Sequence, residues 1–138
     1  MLVLLAGIWG CVPLSSTSQE MRSLSHPKDR APIQVSDLAG VWEYEERNVV
    51  YPLTFDENGN GTYEWKDGRF TTTSIEGRTW KGTWSQREND REGGFEIQLS
   101  HDGVMATGRW WYTRIEQVHN PLNPGGTFTL TRRSVETK

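Results

Sequence analysis

Residues Asp56-Glu57-Asn58-Gly59-Asn60-Gly61, with Asp67 beyond them, place oxygen-bearing side chains at the first, third and fifth positions of a twelve-residue window. Glycine stands at the sixth and a carboxylate at the twelfth, the order of a calcium loop. Tyr63 and Trp65 alternate as on a strand, however, and six extended residues at about 3.3 Å each carry Asp67 roughly 20 Å from the turn. A glycine-rich hairpin turn is the expectation there, and no metal. His26, His101 and His119 are widely separated, and Cys11 is the sole cysteine, so no metal-ligand spacing exists elsewhere. Serines and threonines are plentiful, but none lies in a nucleophile elbow. Glu43, Glu45 and Glu46 put carboxylates on both faces of one strand, which would suit an acid/base pair but reads more simply as a solvated face. The reading is therefore a non-enzyme with no catalytic residue and no cofactor, an enzyme of unknown type ranking third behind two binding roles.

Trp110-Trp111 carries more information. Neighbours on a strand point to opposite faces. Parity with Val104, Ala106, Gly108 and Tyr112 sends Trp110 inward and leaves Trp111 outside beside Arg109. An outward indole beside an arginine is a stacking surface for a sugar ring or a partner protein. The alternative is cover from the loop around Pro121 and Pro124, or from the N-terminal segment.

The elements that must position these residues are strands. A unit of glycine, any residue, then an aromatic recurs at Gly40, Gly61, Gly68, Gly82, Gly93, Gly108 and Gly126. Glycine there reads as a turn, a bulge or a close approach of backbone, and the ring as buried area. Turn signals every eight to twelve residues divide the chain into eight strands at 40–46, 49–55, 61–66, 69–75, 79–85, 94–100, 104–114 and 127–133. No ten-residue window shows helical apolar spacing. Period-two parity points Trp42, Tyr44, Tyr51, Leu53, Phe55, Tyr63, Trp65, Trp80, Trp84, Phe95, Ile97, Leu99, Trp110, Phe128 and Leu130 inward. Of these, Tyr44, Tyr63, Trp65, Trp80, Trp84 and Trp110 are the candidate ligand-facing rings. Eight such strands close into an antiparallel up-and-down barrel, which removes exposed edges. Pro52 cannot donate to a ladder and predicts a bulge or a gap in pairing.

At 138 residues the chain holds one domain, and fourteen of its fifteen aromatics lie between Trp42 and Phe128. A net charge of -3 with no basic cluster argues against nucleic acid. The apolar run Met1 to Gly10 is too short to span a bilayer and ends in Gly10-Cys11. It resembles the lipobox of bacterial lipoproteins, which implies lipidation of Cys11 and anchoring in the cell envelope, with no other contact with membrane. Trp9 stands where that family has a small residue, and the missing basic residues suit a start upstream of Met1; simple secretion, or an ordinary buried thiol, is the alternative. Residues 12–36 have the composition of a flexible tether, 37–134 form the barrel and 135–138 a tail.

On the barrel, Gly40 and Trp42 match the G-x-W of the first strand in the lipocalin and avidin group of small eight-stranded barrels. Arg132, sharing parity with Phe128 and Leu130, matches the last-strand arginine that packs over that tryptophan. The chain resembles this group from about 37 to 133. The short Arg47-Asn48 link is closer to avidin-type hairpins than to the long first lipocalin loop, and no biotin-contacting residue carries over. The resemblance implies a non-catalytic protein that holds a small apolar or aromatic ligand in its barrel. A crowded interior favours the other reading, a module that meets a protein or glycan of the envelope through its outer face, Arg109 and Trp111 included, as barrel-shaped envelope enzyme inhibitors do. No particular oligomeric state is implied.

Overall fold

Alternation of ring and polar residue forces each segment into a strand with one dry face. A computed structural model describes residues 32–134, and Cys11, the tether through residue 31 and residues 135–138 lie outside the described part. The strands are β1 Gly40–Glu46, β2 Val49–Phe55, β3 Asn60–Tyr63, β4 Gly68–Glu76, β5 Thr79–Gln86, β6 Arg91–Leu99, β7 Met105–Ile115, β8 Val118–His119 and β9 Gly126–Arg132. Strands β1 to β7 form an antiparallel meander. Strand β9 then enters between β7 and β1, so eight strands close an up-and-down barrel. The two-residue β8 only extends the β7 hairpin, pairing with Arg114 and Ile115.

The recurring glycine-x-aromatic unit turns out to be a pairing device across strands. Gly61 faces Phe70 while Tyr63 faces Gly68. Gly82 faces Phe95 while Trp84 faces Gly93. Gly108 faces Phe128 while Trp110 faces Gly126. Each couple is reciprocal, with every glycine opposite the other strand's ring. The missing side chains make room for the rings: a Cβ on Gly82 would lie 2.6 Å from the Phe95 ring, and one on Gly108 2.2 Å from that of Phe128. These cross-strand contacts give each glycine the packing partner its own side chain cannot supply.

Inside, Trp42, Leu53, Phe55, Trp80, Phe95, Ile97 and Leu130 are essentially inaccessible. Phe55 meets Trp80 edge-on at 5.1 Å and Phe70 meets Phe95 at 5.2 Å. One barrel end is sealed. Beside the start of β1 and the end of β9, a single 3-10 turn at Val35–Leu38 buries Leu38 completely, and Ile33 packs on the same core. The opposite end carries the Arg47-Asn48 hairpin and the connections at 64–67, 87–90 and 116–125. Arg47 and Asn48 both have positive φ, 49° and 65°, as a two-residue type I′ hairpin requires.

Three expectations are corrected. Strand β3 ends at Tyr63, because Lys66 and Asp67 adopt positive φ and turn the chain; Trp65 therefore stands outside the barrel, 63% exposed, instead of facing inward. The sixth strand, expected from residue 94, begins earlier, at Arg91. Val104 lies just before β7 and is exposed. Pro52 has the effect its chemistry dictates: β2 pairs with β1 along its length but with β3 only at Thr54 and Phe55.

Candidate functional site

The sealed end centres on Trp42 and Arg132, neighbours across the β1–β9 seam. The guanidinium lies 4.4 Å from the indole centroid. It donates to the carbonyl oxygens of Ala39 at 2.9 Å, Gly103 at 3.3 Å and Asp37. Trp42 Nε1 donates to the Leu38 carbonyl at 2.9 Å. Gly40 has φ 127°, a conformation that side chains strain against, while a Cβ there would make only an ordinary contact with Nη1, at 3.6 Å. Burial lowers the Arg132 pKa and Asp37 opposes that shift. This cluster ties the segments before β1 and before β7 to the end of β9, reinforcing the strand pairing there, so its work is closure.

The other end is open and chemically mixed. Tyr44 is stacked between Tyr51 at 4.6 Å and Phe128 at 4.7 Å. Its hydroxyl donates to Glu46 Oε2 at 2.7 Å, and Trp110 Nε1 donates to the same carboxylate at 3.2 and 3.3 Å. Across the barrel, Gln86 donates to the Tyr63 hydroxyl at 3.0 Å and accepts from Asn89 at 2.9 Å. Arg91 reaches the Tyr112 hydroxyl at 3.4 Å, while its buried Nε has no partner. Trp84, Trp110 and Tyr112 meet edge-on, with centroids 5.0 to 5.6 Å apart. Burial is the main reason that the phenols of Tyr44, Tyr51 and Tyr63 titrate above their ordinary value. Glu46 adds to the shift at Tyr44, and the Gln86 hydrogen bond opposes it at Tyr63.

Trp111 lies on the outer face of β7, 38% exposed. Its indole rests on Gly94, whose absent side chain gives it a seat: a Cβ there would meet the ring at 2.3 Å. Arg109 stands 5.6 Å from the ring and pairs with Glu96 at 3.3 Å.

Of the residues singled out in the sequence, Gly40, Trp42 and Arg132 converge at the sealed end. Trp80 is deep in the core. Tyr44, Tyr63, Trp84 and Trp110 line the open half, and Arg109 and Trp111 meet outside. Glu46, Gln86 and Arg91, together with Tyr51 and Tyr112, complete the open end and were not expected to form a site. Glu46 and Gln86 share parity with Trp42 and Trp84, so extending the alternation to the strand ends would have found them. The calcium-like stretch is a turn: Asp56 Oδ1 accepts from the backbone of Asn58 and Asn60, and Asp67, at the other end of β3, faces Arg69 and Arg87. Among the described residues no cluster of three metal-ligating side chains occurs.

Fold and site together define a closed antiparallel barrel with one end locked by arginine over tryptophan and the other lined by rings and polar groups, consistent with a calycin-like architecture. Comparison with family models, curated proteins and solved structures finds no match.

Proposed function

We propose that this protein is a non-catalytic, envelope-anchored lipoprotein that binds a small aromatic or apolar ligand at the open end of its barrel. The observation that carries this reading is the break in the core: rings fill the sealed half, whereas Glu46, Gln86 and Arg91 interrupt the rings of the open half and are only partly buried. Half-buried polar groups among aromatic surfaces orient a ligand that the rings hold. A groove of about 500 Å3 lined by Glu46, Trp110 and Gly126 lies at the rim of this end. Ligand-observed NMR with a library of small aromatic compounds tests it. Binders should compete with one another and lose affinity at least tenfold in Trp110→Ala; a library without binders, or binders indifferent to Trp110, would overturn the reading. The anchor rests on Gly10-Cys11. The protein expressed in a bacterium should incorporate labelled fatty acid, and Cys11→Ser should not.

Recognition through the outer face is the second reading. It is favoured by the crowding of the interior, which limits any internal ligand to the open end.

A further inference from the structure

A groove of about 690 Å3 runs along the outside of β1, β9, β7 and β6, within the range of ligand clefts. Its floor is made of short side chains. The sequence Gly126-Thr127-Phe128-Thr129-Leu130 buries Phe128 and Leu130 and turns Thr127 and Thr129 outward, where Thr129 pairs with Thr107 and Thr127 with Arg109. Glu45 rises on one side, and Glu96 and Gln98 on the other. None of the outward side chains lining the groove is aliphatic or aromatic. Its charges nearly balance, with Glu45, Glu46 and Glu96 against Arg47 and Arg109. Such a lining sets donors and acceptors over threonine methyls and side-chain stems, and its near-balanced charge gives no pull on a polyanion. Strands β7 and β9 are hydrogen-bonded on both sides, so no backbone edge is free to take a peptide strand.

Beyond Arg109, the next outward residue of β7 is Trp111. Arg109 is held between the Trp111 ring and Glu96, which also pairs with Lys81 at 3.7 Å. The result is a fixed row of polar groups ending in a flat, partly exposed indole. A pyranose presents that combination in reverse: hydroxyls around its edge and an apolar C–H face that stacks on a ring. We infer that this outer groove binds a neutral oligosaccharide, with one sugar ring on Trp111 and its neighbours hydrogen-bonded along Arg109, Thr127 and Thr129. The inference deepens the outer-face reading and is independent of a ligand at the open end.

The test uses the full chain titrated with cellohexaose, chitohexaose and maltohexaose and followed by amide NMR. At least one should bind saturably and shift Thr107, Arg109, Thr127 and Thr129. Trp111→Ala and Arg109→Gln should each weaken binding at least tenfold while the variants remain folded, with the amide spectrum unchanged away from the groove. Gly94→Ala, which keeps the indole but lifts it from its seat, should weaken it too, whereas Arg91→Ala at the open end should leave it alone. No saturable binding of any of the three sugars, shifts confined to the open end, or a Trp111 that captures a protein and no sugar would each overturn the inference.

Discussion

Arg132 shows how much one side chain does in this barrel. It covers Trp42 and binds backbone carbonyls before β1 and before β7, a fan of acceptors that a planar guanidinium reaches and a single ammonium does not. Trp42→Ala should cost roughly 3 to 5 kcal/mol as a large core truncation. Arg132→Ala should cost about 2 kcal/mol from lost charge-assisted hydrogen bonds, and Arg132→Lys should recover less than half of that loss, all read by chemical denaturation. At the open end the tyrosines set an alkaline limit. A phenol whose pKa is raised on folding holds its proton more tightly when folded, so its stabilisation is complete below the unfolded phenol value near 10 and is lost as pH rises from there through the folded value. Melting temperature should therefore fall above about pH 10. The fall should be shallower in Tyr44→Phe, which removes the phenol most strongly shifted by burial and Glu46. The Trp42 and Arg132 pairing was expected from the resemblance to the lipocalin and avidin group, and parity with Phe128 and Leu130 picked out Arg132 as the partner. Glu46 was read with Glu43 and Glu45 as part of a solvated face, and Gln86 was not read, because polar residues at strand ends look solvated unless the alternation is carried to the last residue; Arg91 fell before the expected start of the sixth strand at residue 94.

At the scale of elements, the glycine-x-aromatic units were visible but their physical meaning was not, since reciprocity belongs to two strands at once. Substitution separates seats from turns. Gly82→Ala would place its Cβ 2.1 Å from the Thr71 carbonyl and should destabilise by about 3 kcal/mol or more. Gly77→Ala meets nothing within 4 Å and should cost only about 1 kcal/mol for its positive φ. Thermal and urea melts of the two variants check the contrast, and equal losses would deny Gly82 its role as the seat of Phe95. Strand β3 is the element that sequence periodicity overextends. Tyr63 and Trp65 alternate as strand residues do, but the left-handed Lys66 and Asp67 end the strand before the second ring; Asp67-Gly68 reads as a turn in the sequence, whereas Lys66 does not announce a positive φ. The same early ending leaves Val49 to Pro52, paired with β1, without a partner on the β3 side, and a groove of about 520 Å3 opens between them and Trp65.

For the whole molecule, eight strands and closure could be read from turn spacing and from the need to leave no edge. The outer groove could not, because it depends on which outward residues of four separate strands lie side by side. Closure also has an order in time. The β3–β4 and β5–β6 couples sit within single hairpins, so their registers are settled over short chain separations, where little loop entropy is lost. Strands β1 and β9 come from opposite ends of the described chain, and Arg132 latches their meeting. In stopped-flow experiments Gly82→Ala should slow folding, while Arg132→Ala should leave the folding rate nearly unchanged and speed unfolding. Rates of that pattern would mean that the barrel assembles from hairpins that each set their own alignment, with the arginine as the clasp fastened last.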